Sequence, residues 1–177
     1  MTDGEAAGVA IGPATIDDVD AVTDLWIALA AGQRRHGSTL LAEENRGAVR
    51  EWVARSTVTG ELLVARATEG HADRVPVGFV AFSLERGGYD RDRTRGTVSN
   101  LFVVRERRGD GIGSALLSAA ERALHEAGAK TVALEALADN ERARAFYAAH
   151  GYEPHRVELT KSVSATEPET HAPDDTG

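Results

Sequence analysis

The sequence predicts a single α+β domain, and three observations predict it. Two apolar helical stretches come early in the chain. Two strand-like runs joined by a short polar turn follow them, as an antiparallel hairpin would. The later chain then reads strand, glycine-rich turn, helix, strand.

The elements follow in order. Residues 1–8 are small and polar, which predicts a loose leader before a domain over 9–163. "VAIGPAT" is a short strand. A helix over 17–33, capped by Thr15 or Asp17, carries Val19, Val22, Leu25, Trp26 and Leu29 at helical spacing, and "AEENRGAVREWVARST" is a second helix. The runs "ELLVARAT" (61–68) and "VPVGFVAFSLE" (75–85) flank the turn "EGHADR". After the polar loop "RGGYDRDRTRG", "TVSNLFVV" is a further strand ending at Val104. A helix over about 113–127 places Leu116, Leu117, Ala120, Ala123 and Leu124 on one face, with Gly128 where a helix stops. "KTVALEA" is a strand, "DNERARAFYAAHG" a short helix, and "HRVELTKSV" a last strand. The acidic stretch 164–177 has no apolar anchor and is expected to be disordered.

Composition narrows the function. At 177 residues the chain is large enough for one real core, and 42% hydrophobic with 27% charged residues is globular. No apolar run approaches a membrane span and no signal peptide is visible, so a cytoplasmic location without a membrane partner is the default. With no cysteine there is neither disulfide nor thiol nucleophile, and the six histidines lack ligand spacing, so no metal is expected. The net charge of −8 argues against nucleic acid as a partner, because duplex affinity comes from neutralising phosphates.

The most informative stretch is "RRGDGIGSALL", from Arg107 to Leu117. A glycine lets a phosphate approach its backbone N–H, and at a helix start several N–H groups and the helix dipole favour an anion. An ordinary tight turn with solvated arginines is the plainer alternative. A dinucleotide fingerprint needs G-x-G-x-x-G, whereas Gly109, Gly111 and Gly113 give G-x-G-x-G. Glu135 does follow about twenty residues later, where an acid holds a ribose, but too little chain remains for a Rossmann fold.

A second reading takes in more residues. Arg108-x-x-Gly111-x-Gly113 resembles the R/Q-x-x-G-x-G/A motif of the GCN5-related N-acetyltransferases, the GNAT superfamily. "NLFVVRERRGDGIGSALLSAAE" resembles that family's fourth strand, pyrophosphate loop and third helix. "NERARAFYAAHGY" resembles its last helix, and the two blocks lie about thirty residues apart in the expected order. The resemblance covers nearly the whole of 9–163. It implies a GNAT fold: a mixed central β-sheet with a V-shaped split between the fourth and fifth strands, flanked by about four helices.

It also implies a chemistry, acetyl transfer from acetyl-CoA to a primary amine of a small molecule, peptide N-terminus or lysine. The amine attacks directly in a ternary complex, without a protein nucleophile. By resemblance, backbone groups of Leu101, Phe102 and Val103 pair with the pantetheine arm, and a backbone N–H near Leu101 or Phe102 polarises the thioester carbonyl. The pyrophosphate lies on Arg108, Gly109, Asp110, Gly111, Ile112, Gly113 and Ser114, and Asn140 hydrogen-bonds the arm. Tyr147 holds the family's position for the general acid. Seven residues separate it from Asn140, two helical turns, so both face one ligand. The other reading of Tyr147 is a buried structural phenol.

Glu135 is the candidate base: "LEALADN" resembles a segment of acetyltransferases acting on a ribosomal protein's N-terminus. A strand-end ion pair, with proton loss through a water chain, is the alternative. Two departures stand out. Ser99 and Asn100 replace the acidic pair many relatives carry, and Asp110 sits beside the expected diphosphate, so it should point outward with arginines offsetting it.

For the acceptor, the resemblance points to the loops at about 33–43 and 86–96, whose mixed charge names no substrate. His36 reads as a loop residue, His150 as a favourable charge at a helix end, and Trp26 and Trp52 as core. The family also implies a homodimer joined through the last strands. The rival class is a non-catalytic CoA-binding or interaction module on the same fold.

Overall fold

A computed structural model of the chain describes residues 8–68, 75–85 and 93–163. Its centre is a sheet of β1 (Val9–Pro13), β2 (Leu62–Ala67), β3 (Pro76–Leu84), β4 (Arg95–Val103) and β5 (Thr131–Leu134), in that spatial order. β1 to β4 are antiparallel neighbours, and β5 runs parallel to β4. The helices are α1 (Val19–Gln33), α2 (Arg46–Thr59), α3 (Ile112–Glu126) and α4 (Glu141–Ala149). The sheet is therefore mixed, as expected. Among the described residues no helix is long and apolar enough to cross a membrane.

Period-two alternation divides the strands between two cores. Val64 and Phe79 face α1 and α2, where they meet Val22, Leu25, Val49 and Val53. Their neighbours Ala65 and Val80 face the opposite side, against Leu116, Leu117, Ala120 and Leu124 of α3. Trp26 and Trp52 pack on the first of these cores, half-buried, as their helical spacing predicts. The entry to α1 is fixed by Asp18, which is 5% exposed. It accepts from the Thr15 amide at 2.6 Å and the Thr15 hydroxyl at 2.8 Å, and Arg66 of β2 pairs with it. A buried carboxylate needs this set, since an unpaired charge away from water is costly.

The last strand is the main departure. "HRVELTKSV" forms no strand: residues 152–163 carry no regular structure, and Val157, Leu159 and Val163 are exposed. The alternation of these residues is a strand pattern, but a strand has no hydrogen bonds of its own and exists only against a partner. Among the described residues no ladder pairs with this segment, and β5 has only β4 beside it. The leader up to Ala7, the hairpin turn 69–74, loop residues 86–92 and the tail 164–177 lie outside the described residues.

Candidate active site

The site begins where β4 outruns β5. Only Arg95–Val98 have partners on β5, ending with Val98 opposite Leu134. β4 then continues through Val103 with β3 on one side and, among the described residues, no strand on the other. Burial follows this division: Gly96 and Val98 are buried, Ser99 is exposed, and Asn100 to Val103 are half-buried. This open edge is the split between the fourth and fifth strands.

Strand geometry decides which backbone groups face that edge. The Val104 amide donates to the Val77 carbonyl at 2.9 Å, so Val104 turns toward β3. Successive residues present their N–H and C=O to opposite sides, which turns Phe102 toward β3 and Leu101 and Val103 toward the open edge. The Phe102 oxygen is correspondingly close to Gly78 on β3. The Leu101 N–H and C=O and the Val103 N–H therefore lie at the open edge, where an extended ligand could pair with them, while the Val103 carbonyl is taken by Arg108. Phe102 offers its ring, on the side of α1 and α2.

The turn after β4 folds back on this edge. A 3-10 turn at Arg105–Arg107 leads to Arg108, whose Nε donates to the Val103 carbonyl at 2.9 Å, with the guanidinium 5.3 Å from the Phe102 ring centroid. Gly109 and Gly111 take positive φ of 96° and 78°, conformations that side chains with a Cβ rarely adopt. Gly111 thereby starts α3 without a side-chain cap, and the first turn of α3, Ile112 to Ser114, carries no acidic residue. Its N–H groups have no partner within the helix. Asp110 pairs with Arg107 at 3.1 Å, so its charge is offset locally.

Electrostatics favour an anion here. Burial lowers the Arg108 pKa from its ordinary value, and the like charges of Arg142, Arg35 and Arg105 lower it further. Arginine remains charged in any case, so four guanidinium groups from the α1 end, the turn and α4 share one region. On a chain of net charge −8 these arginines gather beside the turn, with Glu106 as an opposing charge nearby.

α4 closes the other side. Asn140 is its N-cap, and its Oδ1 accepts from the Ala143 amide at 3.2 Å, leaving its NH2 group to donate elsewhere. Phe146 reaches the glycine turn, its ring 3.6 Å from where a Cβ on Gly113 would stand. Tyr147 packs edge-on between Phe146 and Tyr152, at 5.3 and 5.9 Å between ring centroids. Its hydroxyl has no hydrogen-bond partner among the described residues, and burial pushes its pKa up from 10. Glu135 is exposed and follows Leu134 directly, at the point where β4 and β5 part.

Two histidines do more than their sequence positions suggest. His36 follows α1, and its Nδ1 lies 3.2 Å from the Asp139 carbonyl while Arg35 Nε donates to its Nε2 at 3.2 Å. The segment after α1 is thus tied to the residue preceding Asn140. His150 lies between Phe146 and Ser114, a contact across 36 positions that no spacing in the sequence signals.

Residues 20–152 match the model of the Acetyltransferase (GNAT) family. The chain belongs to the GNAT acetyltransferase family. Solved structures agree on the fold. A GCN5-related N-acetyltransferase from Ralstonia eutropha JMP134 is 25% identical, with a TM-score of 0.68 over 88% of this chain and 99% of that one. An acetyl transferase from Pyrococcus furiosus is 21% identical, with a TM-score of 0.65 over 88% and 99%. A chain of the NatC complex bound to Gag peptide and CoA is 17% identical, with a TM-score of 0.64 over 84% and 86%. The chain matches no curated protein. The five-stranded mixed sheet with four helices is the GNAT fold of these neighbours, with its split between β4 and β5.

The residues of this GNAT protein suit an extended, anionic cofactor. The open edge at Leu101 and Val103 meets a helix start that no side chain caps. The arginine cluster supplies charge beside both.

Proposed function

We propose that this GNAT protein is an acetyl-CoA-dependent N-acetyltransferase acting on a primary amine. The observation that carries the reading is the half-paired β4, whose open edge runs into the uncapped start of α3, which α4 meets through Phe146 and His150. Acetyl-CoA, when bound, supplies an acetyl group activated as a thioester.

The chain's own residues supply binding and proton handling. Leu101 and Val103 offer the backbone groups that align the arm, and the Leu101 N–H is the donor available to polarise a carbonyl. The N–H groups of Ile112, Gly113 and Ser114, with the arginines, hold the diphosphate. Asn140 donates from its NH2 group. The amine nitrogen forms a bond to the acyl carbon as the carbon–sulfur bond breaks. Tyr147, a protonated phenol whose pKa burial raises further above 10, gives its proton to the departing sulfur. Glu135, exposed at the fork of the strands, takes the proton from the amine directly or through water.

The test is release of CoA from acetyl-CoA across a panel of primary amines. Tyr147→Phe should lower turnover about 100-fold while keeping acetyl-CoA affinity, the scale of a lost general acid. Glu135→Gln should change the shape of the pH–rate profile, and an unaltered profile assigns the base to a water chain. No acetyl transfer to any amine, with acetyl-CoA bound, favours a non-catalytic CoA-binding module.

A further inference from the structure

We infer that His150 is a positioning residue for the cofactor diphosphate, acting through the hydroxyl of Ser114; the inference rests on the acetyl-CoA reading above. His150 caps the end of α4, and its Nδ1 lies 2.7 Å from the Phe146 carbonyl oxygen. A carbonyl only accepts, so Nδ1 carries a proton. In the neutral ring, Nε2 is then a bare acceptor, and it faces the Ser114 Oγ at 3.0 Å. Ser114 is the third residue of α3, in the uncapped first turn.

The consequence is a choice of direction for one proton. With the ring neutral, the Ser114 hydroxyl donates to Nε2, and Oγ shows only lone pairs to an approaching phosphate. Once the ring is protonated, Nε2–H donates to Oγ, the hydroxyl hydrogen turns toward the phosphate, and a positive charge stands behind it. Both changes favour the anion, so diphosphate binding and protonation of His150 promote each other.

The surroundings keep this pair in register. The His150 ring packs on Phe146 at 4.4 Å between centroids, and Phe146 also touches the Gly113 position. The first turn of α3 has no charged side chain. On the turn before it, Arg107 pairs with Asp110, and Arg108 is turned to Val103. On α4, Arg142 belongs to the arginine cluster and Arg144 donates to the Ala138 carbonyl. Further along α3, Glu121 accepts from the Tyr152 hydroxyl. Among the described residues the ring's hydrogen bonds are those to Phe146 and Ser114.

The experiment is calorimetric titration of the full chain with CoA, comparing wild type with His150→Phe, His150→Gln and Ser114→Ala. Thermal melts confirm that each variant folds. As pH is raised from about 6 to about 8, wild-type affinity should fall about tenfold more than that of His150→Phe. The difference between the two removes the titration of the phosphates themselves. His150→Gln, whose amide donates to Oγ at any pH, should keep near-wild-type affinity with the extra slope gone. Ser114→Ala should cost about tenfold at the lower pH and little at the higher, the lower end for one charge-assisted hydrogen bond. Should His150→Phe fail to fold, His150→Gln and Ser114→Ala carry the test. Superimposable profiles for wild type and the His150 variants would overturn the inference and leave the cofactor reading intact. An absence of CoA binding by the wild type would remove both.

Discussion

Arg108 donates its Nε–H to the carbonyl oxygen of Val103 at 2.9 Å, binding the glycine turn to the open edge of β4. The same guanidinium lies over the Phe102 ring. One side chain therefore links the open edge of β4 to the turn that starts α3. The "R-x-x-G-x-G" pattern reads naturally as a charge for the diphosphate, but the geometry gives Arg108 a structural part as well.

Arg108→Ala should weaken acetyl-CoA binding about tenfold, the effect of losing one charge-assisted contact. Arg108→Lys should recover only part of this, because an ammonium cannot both lie flat on Phe102 and direct an Nε–H at Val103. Calorimetry on both variants decides the matter. Equal affinities for the wild type and Arg108→Ala would show that the turn holds its shape without that bond.

Gly78 on β3 is a packing requirement of the same region. A Cβ there would stand 2.8 Å from the Phe102 oxygen and 3.2 Å from Leu116 Cδ1. The obstacle is a backbone atom in a paired strand, which cannot swing aside. Gly78→Ala should cost about 1–3 kcal/mol in denaturant unfolding, as overpacking does. Gly12→Ala on β1, where a Cβ meets nothing within 4 Å, should stay within about 0.5 kcal/mol. Similar midpoints for the two variants would contradict the packing argument.

The tyrosines predict an alkaline limit. Burial raises the Tyr147 pKa above 10, and burial followed by the bond to Glu121 raises that of Tyr152 further. A raised phenol contributes stability that is fully present below the unfolded-state value and is lost as pH climbs toward the folded one. The free energy of unfolding should therefore decline above about pH 10, and Tyr152→Phe should make that decline shallower. A profile flat to higher pH in the wild type would contradict this.

Much of this fold was legible in the sequence because local periodicity and tertiary contact agree. Leu116, Leu117, Ala120 and Leu124 recur at helical spacing and line the α3 core, and Val64 and Ala65 alternate between the two faces of the sheet. The glycines at 109 and 111 were legible for the same reason, since their positive φ is a local property. Other features depend on partners that no local pattern reveals. Val157, Leu159 and Val163 alternate like a strand and join no ladder among the described residues. The turning of Phe102 toward β3, which leaves Leu101 and Val103 at the edge, follows from register. The bond between His150 and Ser114 spans two helices and required the fold itself.

The central claim is that the half-paired β4 and the uncapped start of α3 together hold acetyl-CoA. The most direct measurement is calorimetric titration of the purified chain with acetyl-CoA, with NAD as the comparison, at low and high salt. The account predicts saturable, one-to-one binding of acetyl-CoA and none of NAD. An absence of acetyl-CoA binding at both salt concentrations would contradict it, and the proposed enzyme activity would fall with it.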